Sequence, residues 1–147
     1  MKIFFAMILA WLLVFGCEKN PASLSPSPAK LILTTDRNSY SQKDSVHITL
    51  KNLSGRNIIL GYRCSFENLE MHYQKRVDNA WSKNLWFDYL SWKCPTIMKE
   101  YKSGVTVRHS ISASEFKTSG TFRLLVPCSF SATDSTVVAV SNPFEIH

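Results

Sequence analysis

From Leu31 onward, apolar and polar positions alternate at a period of two, in short runs separated by turn residues. Leu31 and Leu33 sit among polar neighbours, and Val46, Ile48 and Leu50 alternate with Ser45, His47 and Thr49. Ile58 to Leu60 form a short apolar run ending at Gly61, and Leu69, Met71 and Tyr73 alternate with Glu70, His72 and Gln74. Val105, Val107, His109 and Ile111 form another set. Thr121 to Val126 follows Gly120 and is expected to stop at Pro127; Thr136 to Val140, then Phe144 and Ile146, close the chain. Such a period puts successive side chains on opposite faces of a strand. Turn chemistry separates the runs: Tyr40 to Asp44, Asn52 to Asn57 with Gly55 suited to positive φ, and Asp78-Asn79 just before Trp81, a hairpin signal. Leu85 to Leu90 has no clean period and reads as a loop or a single helical turn over a sheet edge. No helix-length apolar period follows residue 30. Seven to nine short strands of this kind predict an all-β, antiparallel β-sandwich, because each alternating face covers only half a core. Phe122 and Phe144 are expected to fill the roughly 10 Å between the sheets.

The first residues follow a different pattern. Lys2 is followed by Ile3 to Phe15, which carry no charged or polar side chain, and Gly16 then precedes Cys17. As a helix that apolar run rises about 20 Å, short of the roughly 30 Å hydrocarbon core, so a removable signal fits better than a spanning helix. Val14-Phe15-Gly16-Cys17 resembles the lipobox of bacterial lipoprotein signal peptides, with Val14 in place of the usual Leu and a bulky Phe15. The resemblance implies cleavage before Cys17, diacylation of its sulfur and acylation of the new amino group. The partner is then a membrane, gripped through acyl chains worth about 0.8 kcal/mol per buried methylene. Glu18, rather than Asp, follows the cysteine. That resembles the outer-membrane pattern if the organism is diderm, and the expected location is the cell envelope. The organisation expected is a signal peptide at 1–16, a lipidated, Pro- and Ser-rich tether at 17–29 and one β domain at 30–147.

Charge and composition narrow the function. Removing Lys2 lowers the formal charge from +6 to +5, and the remaining Lys and Arg are scattered, with Lys75-Arg76 the densest pair. Nucleic-acid binding needs a basic stripe, and none is present, so no nucleic-acid partner is expected. No Cys-x-x-Cys or His-Glu-x-x-His occurs, and the histidines lack ligand spacing; no metal and no cofactor are expected. His109 lies on the apolar parity of its strand, and His47 and His72 on polar ones. No Gly-x-Ser-x-Gly elbow appears. Glu67 and Glu70, three apart in a predicted strand, would face opposite ways, unlike paired glycosidase carboxylates. No enzyme is expected.

The ordered set Tyr40 to Val46 with Leu50-Lys51-Asn52, then Ser119-Gly120-Thr121-Phe122-Arg123-Leu124, then Ser141-Asn142-Pro143-Phe144-Glu145-Ile146 resembles the immunoglobulin-like domain of uncharacterised bacterial envelope lipoproteins. Trp81 and Ser103-Gly104 fall where that family has a Trp after its central hairpin and a Pro-Gly. The resemblance covers about Leu31 to Ile146 and implies an immunoglobulin-like sandwich without catalytic residues. Phe122 stands where the family usually has Tyr, whose hydroxyl would pin a loop. The topology that the resemblance implies puts Cys64 and Cys94 near one pole and Cys128 at the other. It favours a Cys64–Cys94 disulfide, with Cys128 free or intermolecular.

Trp81, Trp86, Phe87, Tyr89 and Trp92 crowd one short stretch. They either pack the hairpin onto the core or offer an aromatic face, with Trp81, Trp86, Tyr89 and Trp92 as the ligand-contacting candidates. The expected function is a non-catalytic binding or structural module for a protein or polysaccharide of the envelope. Two alternatives are a proteinase inhibitor using the Cys64–Cys94 segment as its loop, and a carbohydrate-binding module using the tryptophans.

Overall fold

The alternation around Val46, Ile48 and Leu50 becomes β3 (Ser45–Asn52), the middle strand of a three-stranded antiparallel sheet. β1 (Leu31–Thr35) and β9 (Thr106–Ser112) flank it, with Leu33 opposite Leu50 and Val46 opposite Ile111. The structure is a computed structural model and describes residues 31–147. The signal segment 1–16, Cys17 and the tether 17–29 lie outside the described residues.

The second sheet is organised by β10 (Gly120–Ser129). Along one edge it pairs with β12 (Phe144–Ile146) and then β11 (Val137–Val140). Along the other it pairs with β5 (His72–Val77) and then β4 (Ile58–Arg63). β8 (Thr96–Tyr101) extends the sheet beyond β4. β2 (Ser39–Tyr40) joins β12 in parallel. β5 turns at Asp78 and Asn79, both at positive φ, into β6 (Ala80–Trp81), and β7 (Leu85–Trp86) returns along the start of β5. Among the described residues nine strands have three or more residues and three have two, and they form the antiparallel β-sandwich that the period of two predicts. Gly55 takes φ +75°, as its turn requires.

The structure departs from the sequence reading at three places. The last long strand does not stop at Pro127 but runs through it to Ser129. The Ser141 N–H donates to the Leu124 carbonyl, so even-numbered residues of β10 aim their backbone at the β11 edge. Pro127 therefore aims its missing N–H the other way, where β5 has ended at Leu125 and β4 begins only at Cys128. Second, β8 was hidden in the sequence. As an edge strand with Met98, Lys99 and Glu100 exposed, it needs no clean alternation. Third, Gln74 is buried rather than solvated. Its Nε2 donates to Asn84 Oδ1 at 3.0 Å, and its Oε1 accepts from Arg123 Nε at 2.7 Å. A buried amide is tolerated when both ends are bonded.

Phe122 and Phe144 are both buried between the sheets. Phe116 joins them with centroid distances of 5.0 and 5.5 Å, and Tyr73 and Phe87 extend the cluster. The loop clamp that Phe122 cannot supply comes from Tyr40. Its ring packs on Phe144 at 5.6 Å; its hydroxyl donates to Asp36 Oδ1 at 2.6 Å and accepts from the Arg37 N–H at 3.0 Å. Desolvation pushes the Asp36 carboxyl up, but the Tyr40 and backbone hydrogen bonds outweigh it and hold the pKa below its ordinary value.

Candidate functional site

The Cys64–Cys94 disulfide forms, with Cα atoms 5.3 Å apart. The register explains why. Arg63 pairs with Thr96, so the end of β4 and the approach to β8 meet at one pole. Cys128 pairs with Leu60 further down β4, and it is a buried free thiol. Burial pushes that thiol up to about 11, which keeps it protonated and unreactive.

The stapled segment is built into the fold and is not a free loop. It contributes β5, β6, β7 and a 3-10 turn, Asp88–Ser91. Phe87 and Tyr89 stack at 5.7 Å beside the core, and the Tyr89 hydroxyl donates to the Leu69 carbonyl at 2.6 Å. Lys117 reaches Asp88 at 2.6 Å. Arg63 donates from Nε and Nη2 to the Trp92 carbonyl at 3.1 and 2.6 Å.

The four candidate aromatics do not form one face. Tyr89 is buried. Trp92 is 51% exposed and rests edge-on against Tyr89 at 6.4 Å. Trp81 and Trp86 belong to the outer face of the larger sheet. Phe122 and Leu124 of β10 point into the core, so Arg123 points outward, together with its partner Gln74 and, two residues along β5, His72 and Arg76. Trp86 lies opposite His72, and Trp81 opposite Arg76. The result is a continuous outer row. The Arg123 guanidinium lies 4.3 Å from the Trp81 ring centroid and donates to Gln74, and Gln74 donates to Asn84. Trp86, 63% exposed, packs edge-on against the His72 ring at 4.5 Å. Burial lowers the His72 pKa, with a smaller opposing pull from Glu70, and also lowers that of Arg123. The His72 Nδ1 is buried and has no partner among the described residues. Sequence parity flagged His72 and Gln74 as polar. Cross-strand neighbours, which join them to Trp86, Asn84 and Arg123, are not legible before the register is known.

A second feature lies along β9. Two adjoining depressions of about 500 and 290 Å³ share Glu67, His109 and Ser110, and Trp92 lines the smaller one. His109 is half-buried here, and desolvation lowers its pKa. His47, opposite Ser110 in the register, also lines the larger depression. Glu67 sits in the turn after Cys64, not in a strand, and lines the β9 depressions, whereas Glu70 lies over Gly61 in a different depression. Among the described residues no group of three His, Cys, Asp or Glu gathers as a metal site, and no helix is long and apolar enough to cross a membrane. No known family matches the chain, and no curated protein resembles it significantly.

Proposed function

We propose that the chain is a cell-envelope lipoprotein, anchored by acyl chains on Cys17, whose immunoglobulin-like sandwich is a non-catalytic binding module. The carrying observation is Trp86, a large apolar ring 63% exposed on a sheet face and fixed edge-on against His72. Leaving such a ring in water costs apolar burial that a ligand recovers. The adjoining row of Asn84, Gln74 and Arg123 is already hydrogen-bonded internally, so it holds its geometry without the ligand. A flat aromatic ring beside amide and guanidinium groups suits a saccharide, whose C–H face stacks while its hydroxyls bond at the edge. That supports an envelope polysaccharide as the ligand of this face.

Affinity electrophoresis of the full chain through gels containing envelope polysaccharide tests the reading. Retardation is expected, lost in Trp86→Ala and kept in Trp92→Ala. Equal mobility with and without every polysaccharide tried would remove the saccharide from this face.

A further inference from the structure

Among the described residues, the β9 strand is an unpaired edge. It pairs with β3 on one side and lies last in its sheet. Its ladder has a defined phase. The Asn52 N–H donates to the Val105 carbonyl, and the Ala113 N–H donates to the Asp44 carbonyl. In the register that places Ser45 opposite Ser112, odd-numbered residues of β9 therefore bond to β3. Thr106, Arg108 and Ser110 point their N–H and C=O groups away from it, and these groups take no partner among the described residues. The adjoining depressions run beside this row at Arg108, His109 and Ser110, and continue to Ser112. The opposite wall carries Glu67 and Trp92, held by the disulfide and by Arg63.

Natural sheets usually blunt such an edge by covering it, twisting it away or crowding it with charge. Here Arg108 is exposed on the edge, yet among the described residues a depression stays open beside Arg108 and Ser110. The acidic groups opposite set the chemistry. Asp88 is neutralised by Lys117, but Glu67 and Glu115, which line the same trench, make no ion pair among the described residues. Trp92 offers an exposed ring to an apolar or cationic side chain at one end.

We propose that β9 is a strand-addition site, and that its occupant is an extended, lysine- or arginine-bearing segment of a partner protein. The segment lies alongside β9, exchanges main-chain hydrogen bonds with Thr106, Arg108 and Ser110, and turns its basic side chains toward Glu67 and Glu115. Main-chain bonds give the grip and the flanking carboxylates give the choice of sequence. The inference deepens the binding-module reading by naming a protein partner at a surface other than the Trp86 face, so either surface can fail while the other stands.

The test is amide exchange by NMR on the full chain in detergent micelles, with a synthetic probe of alternating Lys, Val and Thr. Two control peptides carry Glu in place of Lys, or N-methyl groups on alternate residues. The Lys peptide should slow exchange at Thr106, Arg108 and Ser110 at least about tenfold and leave Trp86 unmoved; the Glu and N-methyl peptides should not. Ser110→Pro removes an outward N–H and leaves the β3 ladder intact, and should abolish the protection. If that variant does not fold, the N-methyl peptide carries the same test on the unaltered chain. No protection at millimolar Lys peptide, or equal protection by the Glu peptide, overturns the proposal. Concentration-dependent protection of the same amides without peptide overturns it too, since the occupant is then a second copy of this chain.

Discussion

Arg63 grips the carbonyl of Trp92 with two N–H donors, at 3.1 and 2.6 Å, from the strand end next to Cys64. The residue before one half of the disulfide thus fixes the residue two before the other half. Charge-assisted bonds of this forked kind hold direction as well as distance. Their consequence is that an exposed tryptophan is presented at a set place on the wall of the β9 trench instead of sweeping through solvent.

The disulfide and this fork should act together on the pole. Replacing Cys64 and Cys94 by Ser releases a segment with a sequence separation of 30. The loop-entropy view gives a loss of about 3–4 kcal/mol. Urea unfolding should show the midpoint falling accordingly. Arg63→Ala should cost far less stability but broaden the emission of Trp92, read by time-resolved fluorescence in a background where Trp11, Trp81 and Trp86 are replaced by Phe.

Cys128 should behave as a buried thiol. At 2% exposure and with its pKa pushed up to about 11, it should resist a thiol reagent at neutral pH in the folded protein and react at once in denaturant. Rapid reaction under native conditions would mean that the β10–β11 pairing over Cys128 opens readily.

Tyr40→Phe removes the hydroxyl that donates to Asp36 and accepts from the Arg37 N–H, but keeps the ring against Phe144. The expected loss is about 1 kcal/mol, since Asp36 is partly exposed and water replaces part of the bond. Phe122→Ala, by contrast, empties the centre of the aromatic cluster and should cost about 3–5 kcal/mol. Denaturant titration of the two variants should separate a clamp from a core residue.

How much of this was legible in the sequence depends on what each residue faces. Val46, Ile48, Leu50, Phe122 and Phe144 were readable because a sheet with one wet face imposes its period on the chain. β8 was not readable, because Lys99 and Glu100 occupy an exposed edge strand whose pattern packing does not dictate. Pro127 misled because the rule against proline in strands applies only where its missing N–H faces a partner. The candidate faces were half-legible. The tryptophans marked themselves by type, but the separation of Trp86 from Trp92 depends on β7 pairing with β5 and on the 3-10 turn that follows. The open edge of β9 was invisible, because an edge is a property of sheet order.

His72 and His109 both have pKa values lowered from 6.5 by burial. Above that value both are neutral whether folded or unfolded, so they leave stability unchanged. Below it the unfolded chain binds protons that the folded one refuses, and stability falls with pH until each lowered folded value is reached. Urea midpoints should therefore drop between pH 7.5 and 5.5, and the drop should shrink in His109→Gln. An undiminished drop would assign the slope to other groups.

The most direct measurement of the central claim is the intact mass of the protein extracted from its native membranes, taken with thiol alkylation before denaturation, after it, and after reduction. An anchored lipoprotein should give a chain beginning at Cys17 and carrying acyl mass. No alkylation is expected while it is folded, one site on unfolding from Cys128, and two more on reduction from Cys64 and Cys94. A full-length, unacylated chain would contradict the anchored lipoprotein reading and leave only the β-sandwich and its two surfaces.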